Sequence, residues 1–192
     1  MGYLNYNIIC TTGMAEGLAA QSCGNNAIGV SASWFGGVGT LTGVTINASG
    51  VCTAITFTSG KKLYPFNPYD ETASFTNNGT KSKNGNKNYT EKYEGVVANW
   101  DDQTRDTLDL MISKNSVGVV KLKNGKMYLI GIDDITDPAS TPGLKCNVEW
   151  LSGVSADDEL SGAKFTLEGR SGIRAYRLDS SLVGSTAIFA TS

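Results

Sequence analysis

The alternation of apolar and polar residues is clearest in residues 101–132, where a helical pattern passes directly into a strand–turn–strand pattern. Leu108, Met111 and Ile112 are spaced i, i+3, i+4, so they form one apolar stripe on a helix. The spacing therefore predicts an amphipathic helix over residues 101–114, with these three side chains packed into the core.

Both ends of this helix carry capping signals. Asp101 or Asp102 can accept hydrogen bonds from the free N–H groups of the first turn, at the positive end of the helix dipole. Lys114 places a cation near the carboxyl end, and Asn115 tolerates the left-handed conformation that often ends a helix. We therefore expect the helix to stop at these two residues.

A β-hairpin is predicted immediately after the helix. The apolar runs 117–123 and 126–132 flank Asn124-Gly125, a pair that favours a type I′ turn because both central residues need positive φ. The alternation predicts a half-buried hairpin on which the helix packs. The residues expected on its buried face are Val120, Leu122, Tyr128, Ile130 and Ile132.

Shorter alternating runs recur about every ten residues elsewhere, which is typical of a β-sandwich or barrel. Pro65 and Pro68 restrict the run around them to a strand end or an edge strand. The glycines of WFGGVGTLTG have no helix after them and predict a hairpin turn. The fold class is therefore mainly β: one domain over residues 1–192, a β-sandwich or barrel with one flanking helix. The runs are 28–34, 38–46, 51–57, 61–66, 148–150, 163–168 and 173–178.

Two regions depart from this pattern. Residues 1–26 show little periodicity and predict an irregular N-terminal arm. Residues 67–95 combine a polar, Gly-rich and basic run with aromatic flanks, which predicts a long loop that orders against a neighbouring subunit. A solvated hairpin tip is the alternative. The candidate inter-subunit contacts are Tyr69, Phe75, Asn78, Lys83, Tyr89 and Tyr93.

The apolar C-terminal tail, residues 182–192, carries Val183, Ile188 and Phe189. A tail of this kind is either a last strand or a segment that docks on another surface.

Composition narrows the possible partners. The chain has 192 residues, a net charge of −2 and 16 Lys and Arg residues, which gives no basic footprint for tight nucleic-acid binding. No stretch is apolar enough for a membrane helix, and the N-terminus lacks the features of a secretory signal. We therefore expect assembly in a cytoplasm and free thiols. The cysteines are Cys10, Cys23, Cys52 and Cys146.

The residues for most catalytic chemistry are missing. The chain has no His, which removes the commonest general base and histidine metal sites, and its cysteines occur singly. Asp133, Asp134 and Asp137 offer oxygen ligands but lack the spacing of a calcium-binding loop. We therefore expect no enzyme activity, no metal and no cofactor.

The order of these features resembles the major tail tube proteins of long-tailed bacteriophages, over nearly the whole chain. A helix, a valine-rich strand, an Asn-Gly turn and a Gly-terminated strand carry the resemblance best; the Pro-bearing loop at 133–144 departs from it. The matching segments are GMAEGLAAQSCGNNAIGV, VTINASGVCTAITF, KLYPFNPYDETASFT, DDQTRDTLDLMISKN, VGVVKLKNGKMYLIGI and DDELSGAKFTLEGRSGIRAYRLDSS.

The resemblance implies a structural virion protein of the phage tail. Six copies would form a ring, and rings would stack into a tube that meets other tail proteins and conducts DNA without binding it specifically. In this family some strands line the lumen as one ring-wide barrel, while the long loop and the termini bridge subunits.

Two alternatives remain open. A tail terminator or head–tail joining protein would have the same fold but form a single ring. A carbohydrate-binding or other ligand-binding β-sandwich would use aromatic side chains for stacking, and the candidates are Trp34, Tyr64, Tyr69 and Trp150.

Overall fold

A computed structural model describes residues 29–66, 68, 72–97, 101–151, 162–182 and 185–190. This part of the chain is mainly β, with two sheets and one α-helix, which confirms the predicted class. The N-terminal arm predicted for residues 1–26 lies outside the described residues. The elements are β1 (Val30–Gly37), β2 (Leu41–Ile46), β3 (Val51–Phe57), β4 (Tyr64–Pro65), β5 (Ser74–Lys81), β6 (Lys87–Val97), α1 (Asp102–Ser113), β7 (Ser116–Leu122), β8 (Met127–Ile130), β9 (Lys145–Leu151), β10 (Gly162–Ser171) and β11 (Tyr176–Leu178).

The seven-stranded sheet, in the order β2-β3-β11-β8-β7-β1-β4, is strongly curved. In a flat sheet β1 and β2 would lie about 24 Å apart, because five strand spacings separate them. Only residues 38–40 connect these strands, and so short a link spans roughly 14 Å at most. The sheet must therefore curl until its two ends approach each other. The hairpin predicted for WFGGVGTLTG is wrong, since β1 pairs with β4 and β7 whereas β2 pairs with β3.

The curled sheet encloses one apolar core and shares a second with the four-stranded sheet, in the order β5-β6-β10-β9. The enclosed core contains Leu41, Cys52, Leu63, Val117, Val119, Met127, Leu129, Leu178, Ile188 and Phe189. The inter-sheet core contains Phe35, Tyr93, Leu108, Met111, Val120, Ile130, Phe165 and Leu167.

The hairpin β7–β8 lies between these two cores. Val120 and Ile130 face the inter-sheet core, whereas Val119 and Leu129 face the enclosed core. The prediction of a half-buried hairpin is therefore wrong, and Ile132 belongs to the enclosed core rather than to the face of Ile130. Continuous apolar runs such as VGVV are typical of strands that are buried on both faces.

The Asn-Gly signal marks the right turn but the wrong turn type. The N–H of Gly125 donates to the carbonyl oxygen of Leu122 at 2.9 Å, so Lys123 and Asn124 are the central residues. Gly125 follows them with a φ of 82°. This is the three-residue loop with a glycine bulge, the next most common hairpin connection.

Helix α1 begins as predicted. Asp101 is the N-cap, and its Oδ1 accepts a hydrogen bond from the N–H of Thr104 at 2.7 Å. Leu108 and Met111 are buried, which confirms them as core residues. Ile112 was predicted wrongly: it is 47% exposed, because the helix buries a narrower stripe than the spacing allows.

Helix α1 ends where the sequence predicted, with Ser113 as its last residue and Lys114 as the C-cap. The backbone of Lys114 is extended, with a φ of −133°. The chain passes straight into β7, and the side chain of Asn115 donates to the carbonyl oxygen of Pro142 at 2.6 Å. The helix packs mainly on β9 rather than on the β7–β8 hairpin.

Much of the long loop predicted for residues 67–95 is regular structure. β5 and β6 pair in unbroken antiparallel register from Ser74↔Glu94 to Lys81↔Lys87. Polar residues form strands here because their partners supply the backbone hydrogen bonds and only one face is buried. The hairpin alternative is confirmed, and the proposed contact with a neighbour stays a prediction.

Two further edge features follow the sequence. The proline-bearing run is reduced to the two-residue β4, at an end of the seven-stranded sheet, which confirms an edge position. The C-terminal segment docks on this region: the N–H of Leu63 donates to Ile188 O, and the N–H of Ala190 donates to Leu63 O.

Candidate assembly surfaces

The four-stranded sheet has one apolar and one polar face. On β6 and β10, buried residues such as Tyr93 and Phe165 point to the inter-sheet core, and the residues between them point outward. Among the side chains that the structure describes on these four strands, the outward ones are polar apart from Val96. They are Ser74, Thr76, Asn78, Thr80, Thr90, Lys92, Glu94, Val96, Lys145, Asn147, Glu149, Lys164, Thr166, Glu168 and Arg170.

Charges on this polar face nearly cancel. The anions alternate with cations along and across the strands, and Lys92 pairs with Glu94 at 2.5 Å. That hydrogen bond is the main reason why the pKa of Glu94 lies below its ordinary value. The face therefore carries little net attraction for a polyanion. Its cations are Lys92, Lys145, Lys164 and Arg170; its anions are Glu94, Glu149 and Glu168.

Both edges of this sheet are open within the described part of the chain, since β5 pairs only with β6 and β9 only with β10. Neither register contains a bulge, and neither strand contains proline. A bulge or a proline usually protects an edge strand from pairing with another chain, so neither of these protections is present on β5 or β9. Three antiparallel pairings separate the two edges, so β9 runs opposite to β5.

The β9 edge carries exposed apolar side chains. Leu110 is 56% exposed, Ile112 47% and Trp150 38%, and they lie on α1 and on the strand that this helix packs against. Among described residues only two other large apolar side chains, Val38 and Tyr64, are exposed. Clustering of such side chains at one edge is typical of a protein interface.

The β5 edge opens into a groove of about 610 Å³ between β5 and the outer side of the curled sheet. Phe75 and Tyr128 form one wall, with ring centroids 6.1 Å apart. Arg174 and Arg177 supply two cations, and none of the described residues that line the groove is acidic. We call it the β5 groove; its lining is Ser49, Gly50, Val51, Phe75, Asn77, Leu122, Tyr128, Arg174, Ala175 and Arg177.

The tip of the β5–β6 hairpin extends past the rest of its sheet. β10 pairs with β6 only as far as Ser171↔Tyr89, so the residues beyond Tyr89 have β5 alone as a neighbouring strand. The turn is closed by hydrogen bonds from Gly85 N–H to Ser82 O and from Asn86 N–H to Ser82 Oγ. The tip is basic, because it carries Lys81, Lys83 and Lys87.

The six predicted contact residues do not form one surface. Asn78 and Lys83 are exposed on the hairpin, and Tyr89 is half-buried with its ring over Gly79. Phe75 is half-buried in the β5 groove. Tyr69 lies outside the described residues.

Tyr93 is a correction, because its exposed fraction is 0% and it therefore cannot reach a neighbour. Its hydroxyl lies 2.9 Å from Ser33 Oγ, and the ring packs on Phe35 and Phe165. Burial raises its pKa to about 12. The residue occupies an inward position of β6, where an aromatic contributes to the core.

Sequence reasoning missed Glu91, a buried carboxyl on β6 that is 2% exposed. Its Oε2 accepts a hydrogen bond from Gly131 N–H at 2.6 Å, and its Oε1 accepts one from Asn77 Nδ2 at 3.3 Å. A signal was present, since Glu91 alternates with Tyr89 and Tyr93 on the inward face. Arg174 and Arg177 had no such signal, because the groove exists only in the folded chain.

The other chemically interesting side chains have structural partners. Cys52 and Cys146 are free and buried, which confirms the expectation for these two, and burial raises both pKa values to about 11. Cys10 and Cys23 lie outside the described residues.

The candidate calcium ligands are spread over local turns. Asp133 Oδ1 accepts a hydrogen bond from Gly172 N–H, Asp134 Oδ1 from Thr136, and Asp137 Oδ2 from Ser140 Oγ. The described residues hold no cluster of three metal-ligating side chains. They also contain no helix with the length and apolar character needed to cross a bilayer.

The aromatic candidates for ligand stacking lie on different elements. Trp34 packs on Phe189, with ring centroids 4.7 Å apart, and Tyr64 is exposed on β4 of the curled sheet. Trp150 lies on β9 of the other sheet. These positions do not make a shared stacking platform.

Comparisons with protein-family models, with curated proteins and with solved structures identified no match. Functional inference for this chain therefore depends on the residues and surfaces described above.

Proposed function

We propose that this chain is a structural subunit that assembles into rings, and that stacked hexameric rings form the tail tube of a bacteriophage. The surfaces of the four-stranded sheet support the ring, and the order of sequence features supports the phage tail. In this proposal the protein acts in the virion tail, after assembly in the host cytoplasm, and DNA passes through the lumen.

The observation that carries the proposal is the pair of open edges on the four-stranded sheet. Because β9 runs opposite to β5, a copy placed beside the first by rotation about an axis along the strands would add its β5 to β9 in antiparallel pairing. The two strands are similar in length, 8 residues in β5 and 7 in β9. A head-to-tail contact of this kind closes a ring when the rotation closes.

Such a ring would be wide enough to conduct a polymer. Six copies would give a barrel of about 24 strands, and barrels of roughly 16 to 18 strands already enclose an aqueous channel. The curled sheet lies on the apolar side of the four-stranded sheet, so the polar face is the one left to line the channel. Its nearly balanced charges favour passage of DNA without tight binding.

The projecting hairpin favours stacked rings over a single ring. Its tip extends along the strand direction, beyond the end of β10, and this direction is the axis of the proposed ring. A terminator or joining protein would not polymerise through such a tip.

Negative-stain electron microscopy of the purified chain tests the proposal directly. We expect tubes of uniform width with a regular axial repeat. Single rings would instead indicate the terminator or joining function. A chain that stays monomeric at every concentration and ionic condition would contradict ring assembly altogether.

The open edges give a sharper test. Lys81→Pro on β5 should weaken edge pairing. Ser82 N–H donates to Asn86 O, so in this antiparallel register the N–H of Lys81 points away from β6 to the open edge, and proline cannot donate the backbone hydrogen bond that an added strand needs. Because proline also disturbs β5 itself, a folded variant is required, and circular dichroism should show unchanged β content. Thr166→Val on the central strand β10 is the control, and it should assemble as the wild type does.

A further inference from the structure

We infer that the β5 groove of each copy receives the exposed side of helix α1 from the neighbouring copy. The inference rests on the proposed ring and adds a second contact to it, one between side chains. It gives Arg174 an anionic partner and Arg177 a second one besides Asp179, on which its charge already acts, and it identifies which helix residues enter the groove.

The groove calls for an anionic occupant. Arg174 forms no ion pair with any described residue, and Arg174 Nη2 lies against the backbone at Gly50. Arg177 projects outward from β11 between Val51 and Tyr128, its partners on the flanking strands. Since no described lining residue is acidic, two cations beside an aromatic wall favour a ligand that combines carboxylates with apolar groups.

Helix α1 offers that combination on its exposed side. Asp106 and Asp109 are exposed and lie one turn apart, and Asp106 and Leu110 are an i, i+4 pair. Leu110 is 56% exposed, so it adds an apolar side chain to the two carboxylates on this side of the helix. Leu108 and Met111 anchor the opposite side of the helix in the core, so the acidic side is held outward.

The two surfaces lie at opposite edges of the same sheet. Helix α1 packs on β9, whereas the β5 groove is lined by Phe75 and Asn77 of β5. Three strand spacings, about 14 Å, separate these edges, so a helix cannot occupy the groove of its own chain. Pairing of β9 with β5 of the next copy would bring that neighbour's groove beside the helix.

The volume of the groove limits what enters it. An α-helix is about 10 Å across with its side chains, so 610 Å³ cannot hold the whole helix. It can hold a few side chains, and Asp106, Asp109 and Leu110 lie together on the side of the helix opposite Leu108 and Met111. The carboxylates would meet the two arginines, and Leu110 would cover the apolar part near Leu122.

Charge reversal with restoration tests the contact. Arg174→Glu/Arg177→Glu should raise the concentration needed for assembly by about ten-fold or more, because it places like charges opposite each other across the interface. Asp106→Arg/Asp109→Arg should do the same. The four substitutions together should restore assembly towards the wild-type level. Lys164→Glu/Arg170→Glu on β10 makes the same change in net charge away from both surfaces, and it should leave assembly unchanged.

A zero-length cross-link provides an independent readout. Arg174→Lys keeps the charge and supplies an amine that carbodiimide can couple to a carboxylate. In rings assembled from a mixture of ¹⁵N-labelled and unlabelled chains, we expect peptides that join position 174 of one isotope to Asp106 or Asp109 of the other.

The outcomes separate this inference from the proposed function. If the wild type forms no rings, the proposed function fails and the contact fails with it. If rings form but the arginine variants assemble normally, or if the fourfold variant is not restored, the ring stands and the helix–groove contact is overturned. Cross-links only within single chains would also overturn it.

Discussion

The buried carboxylate of Glu91 accepts a hydrogen bond from the backbone N–H of Gly131 at 2.6 Å. Glu91 lies on β6 of the four-stranded sheet, and Gly131 directly follows β8 of the curled sheet, so this bond joins the two sheets. Gly131 has a φ of 81°, and a Cβ there would lie 2.8 Å from Ser116 O, so glycine is needed at this position.

The burial of the Glu91 carboxyl predicts an unusual pH dependence of stability. Burial raises the pKa of Glu91 to about 7, the hydrogen bond from Gly131 opposes the rise, and the charge of Asp133 adds to it. The folded chain binds the proton on the Glu91 carboxyl more tightly than the unfolded chain does. The stabilisation that comes from protonated Glu91 is therefore fully present below about pH 4.5 and is lost as the pH rises through 7. We expect the free energy of unfolding to fall by about 3 kcal/mol over this interval from Glu91 alone.

Urea titrations between pH 4.5 and 8 measure this effect. Glu91→Gln should flatten the pH profile, since the amide oxygen still accepts a hydrogen bond and no longer titrates. Glu94→Gln is the control: the hydrogen bond from Lys92 lowers the pKa of Glu94, so its contribution has the opposite sign. An equally steep profile in Glu91→Gln would assign the pH dependence to other groups.

Local signals in the sequence predicted local structure well. The Asp101 cap, the buried pair Leu108 and Met111, and the turn at Asn124-Gly125 each depend on residues close together in the chain. Ile112 fails because periodicity gives the direction of an apolar stripe but not its width. The width is set by β9, which lies more than thirty residues away in the chain.

Long-range pairing was beyond the sequence pattern. The run WFGGVGTLTG has the composition of a hairpin turn, yet β1 and β2 pair with other strands because the sheet curls. The polar run around Asn78 resembles a loop, yet β6 gives it a continuous set of backbone partners. Likewise, Arg174 and Arg177 become a site only when β5 folds against the curled sheet.

Substitution of Tyr93 tests whether this residue stabilises the core and does not contact a neighbouring subunit. Tyr93→Phe removes the hydroxyl that lies 2.9 Å from Ser33 Oγ, while Ser33 keeps its hydrogen bond to the carbonyl oxygen of Phe66. We expect a loss of about 1 kcal/mol in the free energy of unfolding and unchanged ring assembly. Tyr89→Phe is the control, because the hydroxyl of Tyr89 has no hydrogen bond to a described residue. An assembly defect in a folded Tyr93→Phe variant would restore Tyr93 as an interface residue.

Gly118 and Gly125 allow the stability cost of a steric clash to be compared with the cost of backbone strain. A Cβ at Gly118 would lie 2.4 Å from Phe35 Cδ1 and 2.5 Å from Trp34 O, so Gly118→Ala should cost about 3 kcal/mol or more. Gly125 has a positive φ but open space around it, so Gly125→Ala should cost only about 1 to 2 kcal/mol. Chemical denaturation of both variants measures the difference. Equal losses would mean that β1 and β7 can separate to accept the methyl group.

The N-cap of α1 links stability to the proposed interface. Asp101→Ala removes the hydrogen bond to Thr104 N–H and should destabilise the chain by about 1 kcal/mol, because that donor is then left without its cap. Asp102→Ala removes a carboxylate that is 98% exposed, from a 4.0 Å contact with Arg105, and should change stability little. Since fraying of the first turn would loosen Asp106 in the neighbouring groove, Asp101→Ala should also weaken assembly more than Asp102→Ala does.

Denaturation and sedimentation of the two variants, compared at matched concentrations, measure both effects. Equal assembly by both variants, alongside the expected difference in stability, would show that the first turn of α1 does not contribute to the contact.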